Sequence, residues 1–109
     1  MATKPPTVTW TGLSGREYTY NVYPFGQGFK AVPGNYALTR RDAARNHTVL
    51  YFGESGSLET RCCVGHEKWE AAEKLGATHI LAHISSPDKA IRCAEESDLV
   101  NRYKPPLNK

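Results

Sequence analysis

Apolar positions alternate in short runs through the first half of the chain and take up helical spacing in the second. The segments VTWTG and REYTYNVY, within residues 8–23, are rich in β-branched and aromatic residues and flank the short turn Leu13-Ser14-Gly15. That combination predicts a β-hairpin. Tyr18, Tyr20 and Val22 recur at every second position and so share one face of the second strand, which Pro24 ends. FGQGFKAVPG, with three glycines and a proline, reads as a loop. Two further strand-like runs, NYALTR and TVLYFG, bracket the polar stretch RDAARNH. They predict an antiparallel pair with a basic loop at its tip.

Beyond Glu54-Ser55-Gly56-Ser57 the spacing becomes helical, with Ser55 or Ser57 as the N-cap. The helical segment covers residues 58–75; Gly65 breaks or bends it, and Gly76 occupies the C′ position. ATHILAHIS is the last strand, with Ile80, Ala82 and Ile84 on one face. Ser86-Pro87-Asp88 then starts a closing helix by a cap, a first-turn proline and an acid near the dipole. It runs to about Tyr103, where Lys104-Pro105-Pro106 stops it. Strands first, then strand and helix mixed, define an α+β domain: a small, mostly antiparallel sheet flanked by helices. The division expected is a disordered tail over 1–6 and a single domain over 7–109. Within it the hairpin and loop take residues 7–32 and the core residues 33–108.

Composition narrows the class. The chain has 109 residues, 39% hydrophobic and 23% charged, which fits one globular domain and excludes a disordered chain. No apolar run approaches the roughly 18 residues of a membrane span, and the N-terminus has no apolar signal-peptide region. A cytoplasmic protein is expected. Its three cysteines, Cys62, Cys63 and Cys93, are odd in number and include an adjacent pair, so reduced thiols are expected rather than a disulfide framework. With His66 they match no zinc spacing. The net charge of +3 hides an asymmetry. Residues 1–47 carry six basic side chains (Lys4, Arg16, Lys30, Arg40, Arg41, Arg45) against two acids (Glu17, Asp42), and residues 48–109 carry eight against nine. A basic front half suits a phosphate-rich partner, and equally a solvated surface with none.

On a wheel of roughly 100° per residue, Glu96 falls between Tyr103 and Val100, near Cys93, while Glu95 falls near Arg102 and Ile91. A carboxylate in an apolar stripe needs an arginine or a metal as partner, or a head group that reaches water.

Four segments combine into a pattern: Gly34-Asn35-Tyr36 at the start of a strand, Tyr51-Phe52-Gly53 at the end of the next, Arg61 near the start of the following helix, and Glu96-Ser97-Asp98-Leu99-Val100 leading to Tyr103-Lys104-Pro105-Pro106-Leu107-Asn108. The set resembles the GIY-YIG nuclease superfamily over residues 33–108. The ten positions from Tyr51 to Arg61 and the twelve from Glu96 to Asn108 are similar to those of members that act in excision repair. Asn35 stands where the family has an apolar residue, and the loop carrying Arg40, Arg41 and Arg45 is longer than in compact members. The N-terminal hairpin lies outside the match.

The resemblance implies a metal-dependent endonuclease acting on DNA, duplex or branched, with RNA left open. Glu96 is then the sole protein ligand of one divalent cation, Mg²⁺ or Mn²⁺, a sparse donor set that suits Mg²⁺ because it retains several waters. Tyr51 is the general base, with Tyr36 orienting the water or replacing Tyr51 as base. Free tyrosine has a pKa of about 10, so Arg61 and the cation are needed to favour the phenolate. Arg61 also stabilises charge on the phosphoryl group, and Asn108 anchors the C-terminus. His66 contacts phosphate or shares proton transfer, or is a surface residue beside Gly65. Arg40, Arg41 and Arg45 are candidates for holding the nucleic-acid backbone. Two rivals keep the fold without this chemistry: a non-catalytic nucleic-acid-binding module, and an accessory subunit docking on a larger protein through its N-terminal hairpin. Trp10, Tyr18 and Tyr20 are assigned to the sheet core, Trp69 to a helix anchor, and His79 and His83 to an exposed strand face.

Overall fold

The computed structural model describes residues 5–25, 28–61 and 67–108. Strands β1 (Thr7–Thr11) and β2 (Glu17–Pro24) form the first hairpin, and β3 (Gly34–Arg41) and β4 (His47–Ser55) the second. Helices α1 (Leu58–Arg61) and α2 (Glu67–Lys74) precede β5 (His79–Ile84), and α3 (Lys89–Tyr103) follows it. The sheet order is β1-β2-β5-β3-β4, with every neighbouring pair antiparallel. The last strand in sequence is thus the central one, inserted between two hairpins. It can occupy that place because Ile80, Leu81 and Ala82 are apolar on both faces and are all buried. The fold is α+β with a mostly antiparallel sheet.

Strand alternation divides the core in two. One layer, Trp10, Tyr18, Tyr20, Val22, Ala37, Val49, Phe52 and Leu81, packs beneath Leu99 of α3. The other, Tyr36, Leu38, Leu50, Ile80 and Ala82, packs against Leu58 of α1 and Trp69 and Ala72 of α2. Trp10, Tyr18 and Tyr20 are therefore core, and Trp69 is stacked on Phe25 at 4.2 Å between ring centroids. Pro6 is tied to the sheet through its carbonyl, which accepts from the Val22 N–H at 2.8 Å. Among the described residues no helix is long and apolar enough to cross a membrane.

The start of α3 differs from the sequence expectation. Asp88 is the N-cap, its carboxylate accepting from the Ala90 N–H at 2.9 Å. Ser86 Oγ instead accepts from the Asp88 N–H at 3.0 Å, which places Pro87 in the preceding turn. A carboxylate and a hydroxyl competed for the cap, and the one nearer the helix took it. At the other end Lys104 adopts the left-handed conformation (φ 48°, ψ 58°), its N–H returning to the Val100 carbonyl, as in an αL termination.

Candidate active site on the edge strand

Tyr36 and Tyr51 meet on the α2 side of the β3–β4 pair. Tyr36 sits opposite Gly53 in the register, and its phenol lies over that glycine: a Cβ on Gly53 would stand 2.6 Å from the Tyr36 Oη. Gly34 is equally constrained, since a Cβ there would meet the His83 carbonyl and approach Leu58 Cδ1 to 2.8 Å. Both glycines are required by close approach rather than by turn conformation. Tyr51 reaches the same face through a bulge. The pairing shifts from Leu38↔Tyr51 to Thr39↔Val49, leaving Leu50 as the extra residue, so Leu50 and Tyr51 both belong to the α2-side layer. The two phenol rings are 6.0 Å apart between centroids and tilted by 47°. Tyr36 is buried and Tyr51 half-buried, so Tyr51 is the ring that solvent reaches. Lys68 of α2 holds its ammonium 5.9 Å from the Tyr51 ring centroid, a contact that no motif in the sequence marks.

The C-terminal tail fixes the backbone on either side of Tyr51. Asn108 Oδ1 accepts from the Phe52 N–H and Asn108 Nδ2 donates to the Phe52 carbonyl, each at 2.8 Å. The Leu107 N–H donates to the Leu50 carbonyl at 3.0 Å. A side-chain amide thus acts as one rung of a ladder along the outer edge of β4.

Glu96 approaches the same strand end from the other face. It is half-buried on α3, and its carboxyl is pushed above the usual carboxylate range by burial and then by the neighbouring Glu54. Glu54 follows directly on Tyr51-Phe52-Gly53 and pairs with Arg92 Nε at 2.9 Å. Arg92 itself is buried and donates through Nη1 to the carbonyls of Ser86 and Pro87. The structure therefore brings the two phenols together on one side of β4 and sets Glu96 beside Glu54 on the other.

The carboxylate most deeply placed on α3 is Glu95, not Glu96. Its burying face is Arg92, Glu95 and Leu99, and Glu95 is only 9% exposed. Glu95 accepts from the Tyr20 hydroxyl at 3.0 Å and pairs with His83 Nε2 at 2.5 Å, while the His83 ring stacks on Tyr20 at 4.3 Å. A wheel that scores apolar neighbours cannot see this, because the partners are polar groups on the sheet. His83 is accordingly not an exposed strand histidine, and His79 is half-buried. Asn35 is fully buried and donates from Nδ2 to the Arg92 carbonyl at 3.0 Å. Its Oδ1 has no hydrogen-bond partner among the described residues.

The three loop arginines do not share a surface. Consecutive strand residues face opposite sides, so Arg40 lies toward α2, where it donates to the Leu75 carbonyl at 3.0 Å. Arg41 lies toward the α3 side with His47 and His79. Arg45 sits at the tip with φ 67°. Arg61 ends α1, with its side chain outside the described part, and His66, Cys62 and Cys63 lie outside the described residues. Among the described residues no three His, Cys, Asp or Glu side chains converge as a metal cluster. No family model, no curated protein and no solved structure matches the chain.

Proposed function

We propose that the chain is a GIY-YIG-type endonuclease that hydrolyses a phosphodiester bond in DNA with one divalent cation, Mg²⁺ or Mn²⁺, on Glu96. The observation that supports it is the phenol pair: Tyr36 seated on Gly53 and Tyr51 carried to the same face by a bulge, 6.0 Å between ring centroids. A packing role for tyrosine needs neither a glycine beneath one ring nor partial exposure of the other. The donor chemistry at Glu96 suits a hard cation. Glu54 lies close enough to raise the Glu96 carboxyl while itself paired with Arg92, and a cation held by Glu96 would relieve that repulsion. Bound there, a cation would supply Lewis acidity to the departing oxygen.

On this reading Tyr51, reachable by water, would act as the phenolate: it takes a proton from the attacking water, the P–O3′ bond breaks and the 3′ oxygen takes a proton from solvent. Because Glu96 lies on the opposite face of β4, the substrate phosphate would have to sit at the end of that strand to meet both groups. Tyr36, buried behind it, positions the phenol and the water. The ammonium of Lys68, 5.9 Å from the Tyr51 ring centroid, favours the phenolate that a base requires, and Arg61 is assigned to the phosphoryl oxygens. The products carry a 5′-phosphate and a 3′-hydroxyl. Asn108 acts through the backbone: it holds Phe52, and with it the bulge that aims Tyr51.

The test is nicking of supercoiled plasmid and branched DNA with Mg²⁺ or Mn²⁺. Tyr51→Phe and Glu96→Ala are each expected to reduce the rate at least a hundredfold, the scale of a lost general base, with an unchanged circular dichroism spectrum. Full activity in Tyr51→Phe removes it as the base. Binding of DNA without cleavage under any divalent cation assigns the chain to a non-catalytic binding module.

A further inference from the structure

We propose that Arg41, Arg45 and His47 form a binding site for a phosphate group, on the face of the sheet opposite to the two phenols. The curl of the sheet leaves a cavity of about 200 Å³ between the start of the first hairpin and the tip of the second, lined by Thr7, Val8, Val22, Arg41, Arg45 and His47. Both guanidinium groups are exposed, and neither side chain makes a hydrogen bond or ion pair with a described residue. They border a concave, partly apolar hollow in which an oxyanion is better held than on a flat surface.

The polar groups around the hollow are arranged to leave it positive. His47 Nδ1 is engaged with Thr39 Oγ1 at 2.8 Å, which leaves Nε2 for a ligand. The His79 ring meets the His47 ring edge-on at 5.3 Å between centroids. The charged or titratable groups that face His47 are Arg41 on β3, Asp42 and Arg45 in the turn and His79 on β5. Asp42 alone opposes this excess, and its carboxylate is turned into the tip, accepting from the Asn46 N–H at 3.0 Å. Burial holds His47 below the usual histidine range, and His79 and Arg41 lower it further. His79 is lowered by burial and by Arg41. Burial, and after it the positive neighbours, thus disfavours the charged form of both imidazoles, and Asp42 only partly offsets this at His47. A bound oxyanion reverses the sign of that field, so binding draws protons onto the histidines and strengthens as pH falls.

The chemistry selects a tetrahedral oxyanion, which has two sources: a free ion or the phosphate of a nucleic acid. The ring resonances of His47 and His79 are followed by NMR on the full chain, with orthophosphate and with sulfate, against chloride at equal ionic strength. Sulfate keeps its charge over the range and isolates the histidine contribution. The expected result is a saturable upward displacement of both titration midpoints, with sulfate affinity rising several-fold from pH 7.5 to 6. The double variant Arg41→Gln/Arg45→Gln is expected to bind at least tenfold more weakly with its backbone spectrum intact, and Tyr51→Phe to bind as the wild type does. A 5′-phosphorylated oligonucleotide that binds tenfold more tightly than its 5′-hydroxyl counterpart assigns the site to nucleic-acid ends. Equal binding of the two, with the inorganic anions still active, assigns it to a free oxyanion; both outcomes uphold the site. Displacements no larger than those in chloride, or undiminished binding in the double variant, overturn it. The readout is independent of strand cleavage, so the site stands or falls separately from the nuclease.

Discussion

Gly53 and the phenol of Tyr36 occupy one volume, and neither can change without the other. Gly53→Ala is expected to cost about 1–3 kcal/mol, the usual penalty of overpacking, read by urea denaturation, and to displace Tyr36 as well. A second substitution belongs to the same scale. The Glu96 carboxyl is raised in the fold, so its charged form opposes folding, and that penalty operates above the raised pKa and fades as pH falls through it. Glu96→Gln is therefore expected to stabilise by roughly 0.5 kcal/mol after allowing for the screening of a half-exposed group, a rise of about 2–4 °C in Tm, while cleavage falls. A lower Tm in this variant would show that Glu96 is held by a partner the fold needs. The motif tyrosines and Glu96 were visible in the sequence because their spacing is local to each motif. Glu95 was not, because its burial depends on Tyr20 and His83, which lie 75 and 12 positions away.

Among elements, β4 carries the proposed general base, and its geometry depends on the tail that borders it. Asn108→Ala removes two hydrogen bonds from Phe52, and a loss of about 1–3 kcal/mol is expected. Hydrogen exchange of the Phe52 amide should accelerate more than that of β5 amides; uniform acceleration would mean that the tail supports the whole sheet rather than the bulge. The strands and helices themselves were legible from alternation, Pro24, Gly76 and Pro105. The bulge at Leu50 was not, because nothing in Val49-Leu50-Tyr51-Phe52 distinguishes a regular register from a shifted one. Nor was the insertion of β5 between the hairpins, since alternation reports which face a residue takes and not which strand lies beside it.

At the scale of the molecule, the N-terminal hairpin is clasped to α3 through Asp98. Its carboxylate accepts from the Ser14 N–H at 2.8 Å, from Ser14 Oγ at 2.7 Å and from the Tyr18 hydroxyl at 2.8 Å. The Leu13 N–H donates to its carbonyl at 3.1 Å, and a side chain on Gly12 would strike the carboxylate. The Ser14 hydrogen bonds hold the Asp98 carboxyl below the usual range. The clasp is thus fully present above pH of about 4 and is lost as pH falls through the lowered value. Exchange protection of the Ser14 amide is expected to fall in acid before that of β3, and to be absent at neutral pH in Asp98→Ala. Retained protection in that variant would locate the attachment in Trp10 and Tyr103 instead. The basic first half also resolves into two places once the strand faces are known: Arg40 serves the end of α2, whereas Arg41 and Arg45 border the hollow under the tip.

The order of the strands carries a consequence for biosynthesis. Among the described residues β2 and β3 are not paired with each other, and β5, residues His79–Ile84, pairs with both, so until the ribosome has made that strand both nascent hairpins present an open hydrogen-bonding edge. Such edges recruit neighbouring polypeptides. Truncation before β5 is thus expected to yield aggregates rather than a smaller folded unit, and slowing translation ahead of that strand to lengthen the interval in which a chaperone must shield the edges.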